Sequence, residues 1–327
     1  VLLVRKVLIA DDDIVASTLV KGLLESWGFE VLLARDGEEA VAILLHPTDA
    51  PRIAIVDWSM PGCSGLDVCR RVRLNSERGY TYLIMATARG ERKDILEGLS
   101  AGADDYLVKP ILAAELRARI EIGKRIVNLQ EQLLAALASA RYEASHDSLT
   151  GLWNRSAVIE QFSTLLARGE REGGQIGILL ADIDHFKRLN DNYGHQGGDV
   201  VLRHVARLLR CAVRVYDVVG RYGGDEFLIV APACDLYDVT QMGERMCELI
   251  STASADVGGV GAKVSISVGA LNVQQCAVGD ESRLIDAADA ALYQAKNEGR
   301  NRMCVHSIKL DKLAGPPAAR PQTENPL

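Results

Sequence analysis

Short apolar runs recur through the first third of the chain, at 7–10 (VLIA), 30–34 (EVLLA), 53–57 (IAIVD), 83–87 (LIMAT) and 106–108 (YLV). Runs of this length without polar alternation predict strands buried on both faces. The stretches between them carry apolar residues at three- and four-residue steps, which predicts helices over 14–27, 38–45, 66–74 and 93–101. Gly28 and Gly102 stand just past two of these helices, where a left-handed cap would end them. Strand-helix units in this succession predict a doubly wound parallel α/β sheet of (βα)5 type, whose ligands sit at the carboxyl ends of the strands.

From 113 to 144 one helical pattern continues without proline and with only Gly123 inside it, longer than most globular helices. Leu116, Ile120, Ile126, Leu129, Leu133, Ala136 or Leu137, and Ala140 form an irregular apolar seam along it. An exposed seam calls for a partner helix, so this stretch reads as a linker that pairs with itself as a coiled coil in a homodimer or higher oligomer. The alternative is a single helix lying on its own N-terminal domain. The second half restarts with helices expected at 155–168, 198–213, 239–251 and 283–297, strands at 175–181 and 263–270, and a hairpin over 218–231. A hairpin inside an alternating pattern predicts a mixed sheet with helices packed on it. The expected organisation is an N-terminal domain over 1–122, a helical linker over 123–144, a C-terminal domain over 145–306, and a polar, proline-rich tail over 307–327 read as disordered.

Composition narrows the class. The 327 residues are 48% apolar and 25% charged, the balance of a globular protein with length enough for two cores. The net charge is −7 and neither half is basic, which argues against nucleic acid as a partner. The seven cysteines include no CxxC pair and fit no disulfide framework, so reduced thiols and a cytoplasmic location are expected. No uninterrupted apolar run approaches the ~18 residues of a membrane span, and the opening VLLVRK is too short and too quickly charged for a signal peptide.

The expected strand ends of the first half collect polar residues: Asp11, Asp12 and Asp13, then Asp57, Thr87, and Lys109 followed by Pro110. A lone Asp in such a loop is often an N-cap, and Asp13 ahead of the first helix fits that role. Several carboxylates, a hydroxyl and a lysine on one rim would leave charge uncompensated unless a divalent cation and an anion joined them. The segments ADDD, DWSMPGCSG, ATA and DDYLVKP resemble the receiver domain of bacterial two-component response regulators, over about residues 5–122. That resemblance implies Asp57 as a nucleophilic phosphoacceptor from a sensor histidine kinase. It implies Mg2+ (or Mn2+) held by Asp11, Asp12, Asp57 and the backbone carbonyl of Ser59, and phosphoryl contacts from Thr87 and Lys109. Tyr106 matches the switch aromatic that reorients when the threonine moves, a role compatible with a half-buried tyrosine on the sheet edge. Lys109-Pro110 matches a position where the family has a cis peptide.

In the second half the hairpin turn reads Gly223-Gly224-Asp225, followed by Glu226. Two glycines would permit positive φ there and let a ligand approach the backbone. Asp182 and Asp184 end the segment GILLADID, and acids on adjacent strand ends suggest a divalent-metal site for phosphate chemistry. His185-Phe186-Lys187 follow as a short turn whose N–H groups and lysine could cradle phosphates.

The segments DSLTGLWNR, DIDHFKRLNDNYGHQGGD, RYGGDEF, SISVGA and ALYQAKNEGRNR resemble the GGDEF domain of diguanylate cyclases, over about residues 145–305. The resemblance implies a mixed-sheet α/β domain of nucleotidyl-cyclase type that condenses two GTP into cyclic di-GMP and two pyrophosphates. It implies Mg2+ (or Mn2+) at Asp182, the carbonyl of Ile183, Asp225 and Glu226, with Asp225 or Glu226 assisting deprotonation of the 3′-hydroxyl. It places Asn190 and Asp199 on the guanine edge, and Phe186, Lys187, Lys296 and Arg300 against the phosphates. Arg214 and Asp217, an RxxD ending five residues before the turn, resemble the family's inhibitory cyclic di-GMP site. The reaction joins two GTP held in two facing domains, so a dimer is required. A nucleotide-sensing domain without turnover is the rival reading, disfavoured by the intact Asp182, Arg214, Asp217, Asp225 and Glu226.

Overall fold

The computed structural model describes residues 5–75, 79–88, 92–274 and 279–306; the tail over 307–327 and Cys276 lie outside the described residues. The chain divides between Ser139 and Ala140 into two units, each built around its own sheet. No described helix is long and apolar enough to cross a membrane.

In the first unit β1 (Lys6–Ala10), β2 (Glu30–Ala34), β3 (Ile53–Asp57), β4 (Tyr82–Thr87) and β5 (Asp105–Val108) pair in parallel in the order β2-β1-β3-β4-β5. Helices α1 (Ile14–Ser26), α2 (Gly37–Leu44), α3 (Gly65–Leu74) and α4 (Arg92–Ser100) connect them, and α5 (Ala113–Ser145) follows. Successive side chains of a strand point to opposite faces, and both faces here are covered. Val7 and Ile9 pack with Val20, Leu24, Leu116 and Ile120, while Leu8 and Ala10 pack with Ala40, Leu44, Val68 and Val72. This is the doubly wound parallel sheet expected from the apolar runs. Its strand ends stay local because the following helices are capped at once: Asp13 accepts from the N–H groups of Val15 and Ala16 at 2.8 and 3.1 Å.

The seam expected along 113–144 divides. Leu116, Ile120 and Val127 are buried in the first unit's core, whereas Leu129, Leu133, Leu134 and Leu137 are 47–59% exposed. The first turns of α5 serve the sheet, and the apolar stripe beyond them is unspent.

The second unit contains α6 (Arg155–Glu172), β6 (Ile176–Ile183), α7 (Phe186–Ala212), β7 (Val218–Arg221), β8 (Glu226–Pro232), α8 (Leu236–Thr252), β9 (Ser254–Val257), β10 (Val260–Lys263), β11 (Ile266–Val273), α9 (Glu281–Asn297) and β12 (Met303–Val305). Its main sheet has the order β12-β11-β6-β8-β7, antiparallel except for the parallel β11–β12 pair. Leu179, Ala181 and Ile183 face a core with Val201, Val205, Leu209 and Met246, and Ile176, Ile178 and Leu180 face another with Val158, Phe162, Ala288 and Leu292.

Three features depart from the sequence expectation. The strand expected from 263 begins at Ile266, because Lys263 closes a separate β9–β10 hairpin. The strand β12 was not expected at all; at three residues it is too short to carry a pattern. The helix expected from 198 begins at Phe186 and bends at Gly194, which takes φ 69° and ψ 171°. Residues 186–193 are too polar for an apolar period to announce them.

Gly269 of β11 faces α9 so closely that a Cβ would overlap the carbonyl oxygen of Ala288 and the amide nitrogen of Leu292. Gly269→Ala is therefore expected to destabilise the fold by about 1–3 kcal/mol. The measurement is the urea midpoint at constant m value, and an unchanged midpoint would contradict this close approach.

Candidate functional sites

Parallel strands deliver one end of the first sheet to a single rim. Asp57 ends β3, Thr87 ends β4, Asp11 and Asp12 follow β1, and Lys109 follows β5. Carboxylate oxygens of Asp11, Asp12 and Asp57 lie within 4.8 Å of one another. Lys109 Nζ lies 2.8 Å from Asp11 Oδ2 and 3.0 Å from Asp57 Oδ1. Burial raises the pKa of Asp57, and Asp11 adds to the rise against the opposing pull of Lys109. Burial pulls Lys109 down, yet its bonds to Asp11 and Asp57 outweigh that and hold it above its ordinary value. Asp13 stays out of the cluster because its side chain is used in the cap. Ser59 and Asp12 are exposed.

Thr87, 2% exposed, and the half-buried Tyr106 wall one small cleft with Trp58, Met85 and Leu99. The Arg119 guanidinium lies 5.7 Å over the Tyr106 ring and pairs with Asp105 at 2.9 Å. The Lys109–Pro110 peptide is cis.

In the second sheet, β6 and β8 pair in a register that sets Asp182 opposite Glu226. The Ile183 N–H donates to the carbonyl of Asp225 at 3.2 Å. Asp182 is 8% exposed and pairs with Lys296 of α9 at 3.0 Å. Burial pushes the Asp182 carboxyl up to about 6; Asp225 and Glu226 add to the rise and Lys296 opposes it. Among the described residues Asp182, Asp225 and Glu226 do not close to the 4.8 Å seen for Asp11, Asp12 and Asp57.

At the turn, the first glycine leaves room for a side chain rather than supplying a torsion. Neither Gly223 nor Gly224 has positive φ, contrary to the expectation. A Cβ on Gly223 would overlap Glu226 Oε2, and Gly224 faces open space. The turn is held from both sides. The Tyr222 and Gly223 N–H groups donate to the Glu226 carbonyl at 2.9 and 3.2 Å. Arg221 donates through Nη2 to the Gly224 carbonyl at 2.7 Å and through Nη1 to the Asp147 carboxylate at 3.2 Å. Arg221 and Asp147 lie in the segments singled out by sequence, but their contact spans 74 residues and no local signal announces it.

Asp184 does not join the acids of the turn. Its carboxylate accepts from Ser265 and Ser267, so a composition-based grouping with Asp182 does not hold. The turn expected at 185–187 is the start of α7, with His185 at φ 56°. Phe186 packs against the core and Lys187 is exposed. The bend at Gly194 brings Asn190 back against Gly198, whose missing Cβ leaves room for Asn190 Oδ1, and Asp199 is the next residue. Arg300 is exposed just past α9.

Arg214 and Asp217 form no ion pair among the described residues. The Arg214 N–H donates to Asp217 Oδ2 at 2.7 Å, and its guanidinium lies 5.9 Å over Tyr216. Asp217 Oδ1 is buried without a hydrogen-bond partner. Burial raises the Asp217 pKa against the Arg214 N–H and the charges of Arg214 and Arg245. Arg245 of α8 escaped the sequence reading because it lies 28 positions beyond Asp217 in a helix of ordinary pattern.

Residues 7–121 match the family model of the response regulator receiver domain, and residues 144–302 that of the diguanylate cyclase GGDEF domain. The response regulator PleD of Caulobacter vibrioides is 32% identical over 273 residues, which cover 83% of this chain and 59% of PleD. Diguanylate cyclase DgcP of Pseudomonas aeruginosa is 35% identical over 213 residues, which cover 64% of this chain and 31% of DgcP. The chain thus spans less than two thirds of the length of either relative. The crystal structure of the coiled coil and GGDEF domain of DgcB from Caulobacter crescentus, in complex with c-di-GMP, aligns with 58% of this chain and 98% of its own, at 30% identity and a TM-score of 0.52. The chain therefore belongs to the response regulator receiver family over residues 7–121 and to the GGDEF family over residues 144–302.

Proposed function

We propose that the chain is a cytoplasmic response regulator in which phosphorylation of Asp57 activates the synthesis of cyclic di-GMP from two GTP in a homodimer. The observation that carries this reading is the in-register pairing of Asp182 with Glu226, with Lys296 on Asp182. Acids suited to a divalent cation and a cation suited to phosphate share one rim. The names of PleD and DgcP and the ligand of the DgcB fragment support it.

In the N-terminal domain an Asp57 oxygen attacks the phosphorus of a phosphohistidine on a sensor kinase. The P–N bond breaks, its electron pair stays with the imidazole, and an aspartyl phosphate forms. Lys109 and the Thr87 hydroxyl each take a phosphoryl oxygen, and the shift of Thr87 changes the cleft that Tyr106 shares with it. Asp11, Asp12, Asp57 and the Ser59 carbonyl would hold Mg2+ or Mn2+; an all-oxygen donor set fits such a hard cation.

In the C-terminal domain the Asn190 amide and the Asp199 carboxylate bond the guanine edge. A carboxylate there accepts from guanine's donors and has no matching donor on adenine. Lys187, Lys296, Arg300 and the Phe186 N–H take the phosphates. Asp182, the Ile183 carbonyl, Asp225 and Glu226 would hold Mg2+ or Mn2+, which when bound neutralises triphosphate charge. Asp225 or Glu226 accepts the 3′-hydroxyl proton while that oxygen attacks the α-phosphorus of the GTP in the facing domain and pyrophosphate leaves. Two such attacks close the ring, which requires two-fold apposition of two domains. The exposed Leu129, Leu133 and Leu137 of α5 suit the pairing of two linkers. Arg214 and Asp217 bind product through a guanidinium fork and a carboxylate, which closes a feedback loop.

The test is chromatography and mass analysis after incubation with GTP and Mg2+, with and without beryllium fluoride as the phosphoryl mimic. Cyclic di-GMP is expected to form, and to form faster with the mimic in wild type but not in Asp57→Asn. Product that ignores the mimic would remove the switch, and no product in either condition would favour a nucleotide-sensing receptor. Asp182→Asn is expected to lower turnover by about 100-fold or more without loss of fold, since removal of a metal carboxylate acts on the transition state. Arg214→Ala is expected to keep its initial rate and lose inhibition at high product; progress curves identical to wild type would dismiss the feedback site.

A further inference from the structure

Asp184 is a buried acid that the proposed reaction does not use. It lies one residue past β6 and is 6% exposed. Its Oδ1 accepts from Ser267 Oγ at 2.7 Å, and its Oδ2 accepts from Ser265 Oγ at 2.7 Å and from the backbone N–H of Asn301 at 3.1 Å. Its own N–H donates to the Ser265 carbonyl at 2.9 Å. Ser267 is fully buried. Among the described residues no lysine or arginine pairs with Asp184, so its charge is met by neutral donors alone. A charged acceptor forms stronger bonds with such donors than a neutral one would.

The third donor matters most. Asn301 follows Gly299 and Arg300, and the three take φ 117°, 62° and 45°. Two consecutive non-glycine residues in the left-handed region persist only where surrounding contacts hold them. The Arg300 N–H donates to the Ala295 carbonyl at 3.1 Å, and Asp184 holds the next amide. At the other end of the same short segment Lys296 is held by Asp182 at 3.0 Å. Asp182 and Asp184, two residues apart at the C-terminal end of β6, thus each hold one end of the segment from 296 to 301.

We infer that Asp184 is a positioning residue: it fixes the left-handed backbone from which Arg300 reaches the GTP phosphates. The inference rests on the proposed reading of Lys296 and Arg300 as phosphate contacts. Loss of the carboxylate leaves the Asn301 N–H and two hydroxyls without their acceptor and loosens the segment, while the acids of the turn keep their places. The effect falls on binding of GTP rather than on the chemical step.

The experiment uses the full chain. Asp184→Ala is expected to raise KM for GTP about tenfold with kcat changed less than about threefold, the signature of lost binding. Hydrogen exchange is expected to quicken over 298–302 and not across the sheet. Asp184→Asn, whose amide oxygen can still accept from Asn301 and whose NH2 can donate to a turned Ser267 hydroxyl, is expected to recover most of the wild-type KM. If Asp184→Ala does not fold, Asp184→Glu displaces the same acceptor by one methylene and is expected to raise KM in the same direction. A fall in kcat at constant KM, or exchange that quickens throughout the domain, would reduce Asp184 to a structural residue and overturn the inference. If the wild type turns over no GTP, the proposed function fails on its own. Equilibrium dialysis of GTP with the exchange measurement then still decides Asp184: weaker binding and local exchange in the variant uphold it, and unchanged values overturn it.

Discussion

A carboxylate withdrawn from water has to find a cation or a set of donors, and both sheets end in carboxylates that are nearly buried. Asp57 and Asp182 are each 8% exposed. Each is balanced by one lysine brought from a later part of the chain, Lys109 for Asp57 and Lys296 for Asp182. In a fully buried pair, removal of one partner costs about 3–5 kcal/mol because the other charge is stranded; here the lysines are 23% and 30% exposed and the cost is smaller. The same arithmetic explains why burial still raises both acids despite their lysines: one lysine serves Asp11 as well as Asp57, and Asp225 and Glu226 crowd Asp182. Sites with this surplus of negative charge favour a divalent cation, and their lysines are then free for phosphate oxygens. Phosphoryl transfer in one domain and nucleotidyl transfer in the other, as proposed, draw on one electrostatic arrangement built twice on different sheets.

The backbone supplies the rest of the precision. Around the C-terminal site the chain repeatedly adopts conformations that ordinary residues avoid: His185, Arg300 and Asn301 all have positive φ, and Gly194 bends α7. Each such non-glycine residue costs on the order of 1–3 kcal/mol and has to be held by its surroundings. The holders are visible. Asp184 takes the Asn301 amide, and the Ala295 carbonyl takes the Arg300 amide. None of these holders is itself one of the acids proposed to meet metal.

The strands of the N-terminal domain, the long strands of the C-terminal domain and most helices were legible along the chain, because burial on one or two faces leaves a period in the apolar residues that needs no knowledge of partners. The same local logic identified Asp13 as a cap, since a cap bonds only two or three residues ahead. The acids at strand ends were legible as a group, and the resemblance attached roles to them. Where polarity hides the period, as over 186–193, or where a strand is three residues long, as in β12, the pattern was silent.

Only the tertiary structure decided which polar group meets which. By type and spacing Asp182 and Asp184 look alike, yet one faces Lys296 and the other two serines and an amide as far as 117 residues away. Gly223 looked like a torsional device and instead leaves space beside the Glu226 carboxylate, while Gly224 has open space around it and no positive φ. The apolar stripe of α5 looked continuous and is divided between a core and an exposed face. The reason is common to all three. Apolar periodicity reports how much of a side chain is buried, a property of its own element, whereas a hydrogen bond or ion pair needs the direction and distance of a partner that only the assembled sheet brings near.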